Sequence, residues 1–448
     1  MLPYNQESII AIATPPGVGA LAVVRISGVD LKRIFKSFTH RSPKNRLATF
    51  TKLYHPNKNT ILDEVVVTYF ESPHSFTGED VIEISCHGGQ AIKNSIIHAA
   101  LDSGMRLALP GEFTFRSFLN GKMDLIQAEA VSALISSKSS LSSEISLNHL
   151  DGKFSKTLLD IKEKIIDVLS IIENELNFSE NEIDFTSYSE IKSKIAFVQS
   201  EIQLLLDSSM YGKNIFAGIR IVLYGKPNSG KSSLFNAILG YNRAIISSVP
   251  GTTRDTVESW FELEGIPVCL IDTAGIWEPK NHLDSLGVKK TLDELKRADI
   301  CLLVDENDPT SLLGSKYNKK NKQHFIMVKT KLDLDEKPQT KINGIIGTSS
   351  INNIGIKKLL TSISTYINNN VSQNDTSTSV LITQRQRRLL KYSNIYLQDA
   401  ILQLDSGLET DIIASTLQGF VVSIKDVVGE IPNKEVVQNI FSSFCVGK

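Results

Sequence analysis

Residues 225–232 read GKPNSGKS, a complete G-x-x-x-x-G-K-[ST] pattern set between the apolar run IRIVLY and the helical SLFNAILG. No other feature constrains the fold as strongly, because such a loop needs a strand to deliver it and a helix to receive it. Glycines let the backbone turn its N–H groups inward round a phosphate, and the helix N-terminus adds partial positive charge. The pattern predicts that Lys231 reaches the β- and γ-phosphates and that Ser232 ligates magnesium. Asn228, Ser229, Gly230 and Ser233 complete the cradle.

The partners of such a loop follow in the expected order. The stretch SSVPGTTRD supplies Ser247, Ser248, Val249, Pro250, Gly251, Thr252 and Thr253, with Thr253 as a second magnesium ligand on a switch segment. An apolar strand then ends in DTAG, Asp272, Thr273, Ala274 and Gly275, where Asp272 holds the water shell of the magnesium and the Gly275 N–H meets the γ-phosphate. TKLD follows another strand: with Thr330 and Lys331 before it, the Asp333 carboxylate accepts from the ring N–H and exocyclic amine of guanine, a donor pair that adenine lacks. Ser349 and Ser350 of TSS close over the base. The expected ligand is therefore GTP with Mg2+. Ile276 stands where many small GTPases carry a water-orienting glutamine, so another group must place the attacking water.

A chain of 448 residues exceeds one core and implies several domains. Short β-like runs and turn clusters over 1–118 read as an α+β unit. Over 119–215 the character is helical: Leu158, Ile161, Ile165, Leu169, Ile172 and Leu176 recur at spacings of three and four. Over 216–370 apolar strands alternate with helices, as in a Ras-like P-loop domain with a mostly parallel sheet covered on both faces. The polar NNNVSQNDTSTS reads as a linker, and 371–448 returns to helical periodicity. The expected architecture is multidomain α/β and α+β, with the P-loop domain inserted into a helical one.

Composition excludes more than it selects. Net charge is −1, so no global field draws the chain to a polyanion, and only local patches can do so. No run approaches the roughly 18 apolar residues of a bilayer span and the N-terminus lacks signal-peptide character, so a cytosolic protein without a membrane is expected. Four scattered cysteines show no metal spacing. Cys445 stands fourth from the end, but Val446, Gly447 and Lys448 do not make a prenylation signal.

Taken together, GKPNSGKSSLFN, PGTTRD, DTAG, ATPPGVGALAVVRISG, FTGEDVIEISCHGG, PGEFTFRSFLNGKMDLIQAEA and the closing FCVGK resemble the MnmE (TrmE) family of tRNA-modification GTPases. The resemblance spans nearly the whole chain. It implies an N-terminal folate-binding and dimerisation domain, a helical domain, and a GTPase domain inserted in it. It also implies a homodimer that works with an MnmG-type FAD- and NADH-dependent flavoprotein. Together these would place an aminomethyl-type group, carboxymethylaminomethyl, on the wobble uridine of certain tRNAs. The one-carbon donor would be 5-formyl- or methylene-tetrahydrofolate.

Matched position by position, Arg25, Glu83, Lys122 and Lys448 correspond to folate-contacting residues, and Cys445 to a thiol required for tRNA modification. Asn228, Ser247, Val249 and Thr252 match the family's potassium site, where the cation takes the electrostatic role of an arginine finger. The family's catalytic Glu aligns with Asp284, one methylene shorter, which predicts looser water positioning. Thr330 replaces the usual Asn of the guanine motif, which predicts loss of an amide that holds the loop. Two other readings stand beside this one. A GTPase assembly switch of the ribosome-maturation type needs neither the folate motifs nor Cys445, and a folate-dependent one-carbon enzyme could carry a regulatory GTPase. His87 lacks a ligand-spaced partner and is assigned to structure or the folate pocket. The basic SKYNKKNKQHF and RQRRLLK segments read as solvated faces or phosphate contacts.

Overall fold

The structure is a computed structural model of the chain. It describes residues 7–177, 186–241, 257–273, 293–312, 324–335, 339–342, 344–371, 382–430, 434–442 and 444–447. The chain divides into two compact units. One comprises Met1–Ser132, His149–Val198 and Tyr392–Lys448; the other comprises Ala133–Asn148 and Gln199–Lys391.

The first unit contains a six-stranded sheet in the order β3-β4-β5-β2-β1-β6. Its strands are β1 (Ile9–Ile12), β2 (Leu21–Gly28), β3 (Thr49–Tyr54), β4 (Ile61–Phe70), β5 (Asp80–His87) and β6 (Arg106–Leu107). All neighbours are antiparallel except β1 with β6. Period-two alternation sends Ala22, Val24, Ile26, Ile82, Ile84 and Cys86 to one face, where helices α1 (Leu31–Thr39) and α2 (Gln90–Leu101) bury Phe35, Phe38, Ile96 and Ala99 against them. The alternation therefore leaves Arg25 and Glu83 on the opposite face.

Helical segments make up the rest of this unit: α3 (Glu112–Leu119), much of α4 (Leu125–Ser136), α6 (Lys153–Asn177), the start of α7 (Tyr188–Ala217), the part of α10 (Gln384–Asp405) from Tyr392 on, and two C-terminal helices named below. In α6, Leu158, Ile161, Ile165, Leu169 and Ile172 are buried as the periodicity predicts, but Leu176 in the last turn is 49% exposed, where the stripe ends. An antiparallel neighbour, α11 (Thr410–Val428), lies beside α6: Lys162 Nζ meets Glu430 at 3.0 Å and Gln418 Nε2 donates to Glu173 at 3.4 Å.

The second unit holds seven strands in the order β12-β13-β11-β10-β7-β9-β8. These are β7 (Ile219–Tyr224), β8 (Val257–Leu263), β9 (Ile266–Asp272), β10 (Ile300–Asp305), β11 (His324–Lys329), β12 (Lys341–Ile342) and β13 (Ile345–Gly347). The inner five are parallel, and β8 and β12 run antiparallel at the two edges. One face packs Ile221, Leu223, Leu270 and Val304 against α8 (Lys231–Tyr241) and α9 (Ile356–Val371); the other packs Val222, Cys269, Ile271 and Leu303 against Leu295 and Ala298. Coverage of both faces explains why these strands read as unbroken apolar runs. Ile145 of α5 (Ser140–Leu150) joins the first of these cores, and the N-terminus of α5 is held by Glu262, which accepts from Ser140 N at 2.8 Å and Ser140 Oγ at 2.6 Å.

The edge strand β8, VESWFEL, lacks a clean alternation and is held through its hairpin with β9. One local reading needs correction. The polar linker begins later than its composition suggests. Residues 368–371 form the last turn of α9, and Asn368 Nδ2 donates to Glu264 at 2.7 Å, so tertiary contact keeps this polar segment helical. Residues 372–381 lie outside the described residues. Among the described residues, no helix is long and apolar enough to cross a membrane.

The C-terminal helix α12 (Lys434–Ser442) closes the first unit through aromatic packing. Phe441 is 0% exposed and meets the rings of Phe115, Phe118 and Phe444 at 5.4, 6.2 and 5.3 Å. Phe441→Ala is expected to cost about 3–5 kcal/mol of local stability and to open the C-terminal residues to carboxypeptidase. A variant as protease-resistant as the parent would show that the tail is held by something else.

Candidate functional site

At the phosphate loop, the backbone makes room that side chains cannot. A Cβ on Gly225 would lie 2.0 Å from the Val304 carbonyl oxygen, so only glycine lets the loop leave β7 across β10. Asn228 (φ 61°) and Gly230 (φ 88°) turn the backbone left-handed, the reversal that points successive N–H groups into one concavity. Lys231, at the first position of α8, is buried, and its ammonium donates to the carbonyls of Gly225 at 3.0 Å and Lys226 at 2.7 Å. Burial pulls its pKa down while Asp272 opposes the shift. The cation thus lies on the loop itself, beside its concavity.

Next to it, Ser232 Oγ donates to Asp272 Oδ2 at 2.8 Å, joining the start of α8 to the end of β9. Thr273 Oγ1 donates to Leu223 O at 2.7 Å and locks the chain as it leaves β9. Ser232 and Asp272 are 40 residues apart in sequence. Together they offer oxygens to a hydrated divalent ion whose shell phosphate and water would complete.

The base-recognition loop sits at the end of β11. Asp333 Oδ1 accepts from Ser349 Oγ at 2.5 Å, so the carboxylate is oriented by the very segment expected to close over the base. Thr330 is buried; its amide donates to Asp305 O at 3.0 Å and its hydroxyl to Ser229 O at 2.6 Å. This alters the expectation for Thr330: the hydroxyl replaces the missing amide as the tie to the phosphate loop, so that link is kept. Lys331 takes a left-handed φ of 57° and pairs with Glu306. Ser350 and Ser233 line one cleft of about 650 Å³ together with Asn236, Tyr241, Ile351 and Asn353. Ser247, Ser248, Val249, Pro250, Gly251, Thr252, Thr253, Ala274, Gly275 and Asp284 lie outside the described residues.

In the first unit, Arg25 and Glu83 are directly opposite in the β2–β5 register, and the guanidinium meets Glu83 Oε1 from Nε at 2.9 Å and from its terminal nitrogen at 2.7 Å. It also lies 5.3 Å from the Phe76 ring centroid and 5.8 Å from that of Phe113. Lys122 comes to the same neighbourhood by another route. The tight turn at Gly78 (φ 78°) packs against the Lys122 stem, a Cβ there falling 3.1 Å from Lys122 Cγ, and Asn120 Nδ2 donates to Thr77 O at 2.7 Å. The Phe76–Gly78 segment therefore touches Arg25 at one end and Lys122 at the other. Lys122 also borders a cavity of about 530 Å³ lined by Phe118, Met123, Gln127 and Gly429.

The tail docks on this unit. The Gly111 amide donates to the Cys445 carbonyl at 3.4 Å, and a Cβ on Gly447 would fall 2.5 Å from the Ile12 carbonyl, so the backbone runs tight against the end of β1. Cys445 itself is exposed, while Cys86, Cys269 and Cys301 are buried. Burial pushes the Cys269 and Cys301 thiols up to about 12, which makes them inert as nucleophiles. Lys448 lies outside the described residues.

One pairing was not legible in sequence. His87 Nδ1 lies 2.7 Å from Asp63 Oδ1, and the His87 amide donates to Asp63 Oδ2 at 2.9 Å. Their separation of 24 residues has no periodic signature; only the β4–β5 pairing brings them together.

Comparison with known proteins covers both units. The family model "GTP-binding protein TrmE N-terminus" matches residues 8–122, and the "MnmE helical domain" model matches residues 125–445. The chain is 36% identical over 469 residues to the tRNA modification GTPase MnmE of Flavobacterium johnsoniae, covering 99% of this chain and all of that protein. The same enzyme of Francisella tularensis subsp. tularensis is 37% identical over 458 residues, again covering 99% of this chain and 100% of its own. Among solved structures, the G domain of the T. maritima FeoB iron transporter matches at 28% identity and a TM-score of 0.25, covering 33% of this chain and 98% of that one. On its N-terminal and helical models and its full-length relatives, the chain belongs to the MnmE (TrmE) family of tRNA modification GTPases.

Proposed function

We propose that this chain hydrolyses GTP as one component of a tRNA wobble-uridine modification complex. The observation that carries the reading is the Ser232–Asp272 bond beside the Asp333–Ser349 bond, which together align a phosphate end and a guanine end on one sheet. In this scheme the Lys231 ammonium would bind the β- and γ-phosphate oxygens. Ser232 and Thr253 would hold magnesium, whose water shell Asp272 would order. Asp333 accepts from the two guanine donors, and Ser349 keeps its carboxylate in plane. Ser248, Pro250, Gly251, Ala274 and Gly275 complete the nucleotide contacts.

Asn228 takes a left-handed φ of 61° in the loop; on the family pattern its side-chain carbonyl, with Ser247, Val249 and Thr252, would hold a potassium ion. Bound cations offset charge that develops on the phosphates. Asp284 then orients the attacking water. GTP turnover of the purified chain in potassium is expected to exceed that in sodium, at matched ionic strength, by at least about tenfold, equivalent to 1.4 kcal/mol of barrier. Equal rates would remove the cation site from the scheme.

The Arg25–Glu83 pair, the Lys122 ammonium and Lys448 suit a tetrahydrofolate ligand, which presents carboxylates to cations and a pterin edge to a carboxylate. The chain is assigned as a homodimer acting with an MnmG-type flavoprotein, FAD and NADH to install carboxymethylaminomethyl on tRNA. The same reading gives Cys445 a part in this chemistry, and the exposure of its thiol on the docked tail supports that part. Cys445→Ser should abolish tRNA modification by the reconstituted pair and leave GTP turnover within about twofold of the parent, well under the tenfold that 1.4 kcal/mol represents. Unimpaired modification would assign the tail a packing role alone.

Asp333→Asn provides the sharpest test of the base assignment. Loss of a charge-assisted bond predicts about 1.5–3 kcal/mol weaker GTP binding. Xanthosine triphosphate, with a carbonyl in place of the exocyclic amine, should gain affinity in the same titration. A variant that still prefers GTP would move recognition away from Asp333.

A further inference from the structure

Eight of the chain's 48 Lys and Arg residues, and none of its 49 Asp and Glu, fall within residues 31–60, so the near-neutral balance of the whole conceals one strongly basic stretch. All of it belongs to the first unit, and neither the nucleotide site nor the Arg25–Glu83 pair gives it a role. Helix α1 shows how the charge is arranged. At about 100° per residue, Leu31, Phe35, Phe38 and Thr39 fall in one arc of roughly 100° and are buried, while Lys32, Arg33 and Lys36 fall in the next arc of similar width and are exposed.

The loop after α1 continues this surface and is tied down along its length. Arg46 takes a left-handed φ of 59°; its amide donates to Tyr69 O at 2.7 Å and its guanidinium to His74 O at 2.9 Å. Asn45 Oδ1 accepts from the Glu71 amide at 3.1 Å while the Glu71 carboxylate pairs with Lys32, so loop and helix meet at one residue. At the far end of α1, His40 stacks on Tyr54 of β3 with ring centroids 4.2 Å apart and planes 12° apart. Lys32 is compensated by Glu71, and Arg33 faces the exposed Asp30 at 3.6 Å. Lys36, Arg41 and Lys44 are exposed and make no ion pair among the described residues. The result is a set of uncompensated cations on a fixed backbone.

We propose that the outer face of α1 and the loop that follows it form a docking surface for the phosphate backbone of the tRNA substrate, with Lys36, Arg41 and Lys44 on phosphates. Charge selects the partner: a basic stretch without a single carboxylate, in a chain that is otherwise acidic, favours a polyanion. Burial selects among polyanions. Leu31, Phe35 and Phe38 are packed into the core of the sheet, so α1 keeps no apolar face to enter a lipid surface. An RNA backbone needs only spaced cations on a rigid support, and such contacts position the nucleic acid without reading its bases. Because α1 covers the sheet face opposite Arg25 and Glu83, this surface is separate from that pair. The inference rests on the reading of the chain as a tRNA-modifying protein and names where on the first unit the substrate's backbone is held.

The test is tRNA binding by full-length protein, measured by fluorescence anisotropy across a salt series, with the circular-dichroism melt and GTP turnover as controls for folding. The triple variant Lys36→Gln/Arg41→Gln/Lys44→Gln is expected to bind at least about tenfold more weakly and to lower the salt slope by roughly 2 to 3, one increment per lost phosphate contact. A variant with the same loss of charge elsewhere, Lys156→Gln/Lys194→Gln/Lys357→Gln, should bind within about twofold of the parent, because screening confines the effect of a charge to its neighbourhood. Melting and GTP turnover should stay at the parent level in both. If the parent binds tRNA and the α1 variant binds equally well, this surface is wrong while the tRNA reading stands. If the parent binds no tRNA, both fall. Equal weakening in the second variant would make net charge responsible and overturn the surface. Unchanged tRNA binding with lost binding to phosphatidylserine vesicles would make the face a lipid contact and overturn the proposal.

Discussion

The carbonyl oxygen of Val304 stands 2.0 Å from where a side chain on residue 225 would begin, and the geometry of the nucleotide site depends on that approach. It forces glycine at the end of β7 and brings the loop down onto β10. Gly230 then packs against Thr330, a Cβ there lying 3.3 Å from the threonine side chain, so the phosphate loop and the base loop are set directly against each other.

Hydroxyl groups make the links between these segments. Ser232 joins α8 to β9, Thr273 joins the end of β9 to β7, Thr330 joins the base loop to the phosphate loop, and Ser349 joins the last loop to Asp333. Each is short and mostly buried, so each fixes a distance between elements far apart in the chain. Thr330 shows why residue type alone misleads. Its shorter side chain still spans the gap to Ser229, because the loop backbone lies within hydroxyl reach.

The first unit solves a different problem with a different device. Its sheet buries one face under α1 and α2 and leaves the other to Arg25, Glu83 and His87, which alternate in register along β2 and β5. The Arg25–Glu83 pair is held between strands and flanked by Phe76 and Phe113, so neither side chain is free to wander as a surface charge would. The tail is tied to the same unit by Phe441 and Phe444 and by backbone contacts at Gly111 and Gly447. A terminus ordinarily frays; here Phe441 and Phe444 precede the cysteine and anchor the described residues 444–447 to this unit.

Much of this was legible in the residues. Local pattern was enough for the strand–loop–helix of the phosphate site, the alternation of strands and helices round it, the stripe of α6 and the candidate residues of the base loop, because each depends on neighbours within a few positions. What local pattern could not show was contact between distant segments. The Asp63–His87 pair, the Thr330 tie, the helical last turn of α9 and the edge strand β8 all depend on partners that the fold supplies. The sequence by itself named the candidates for phosphate and guanine chemistry, through spacing and side-chain type, and its family resemblance named the candidates for a folate. Only the tertiary structure decided which of them meet, because hydrogen-bond reach is a few ångströms while the separations along the chain run to more than a hundred residues, as between Ser229 and Thr330.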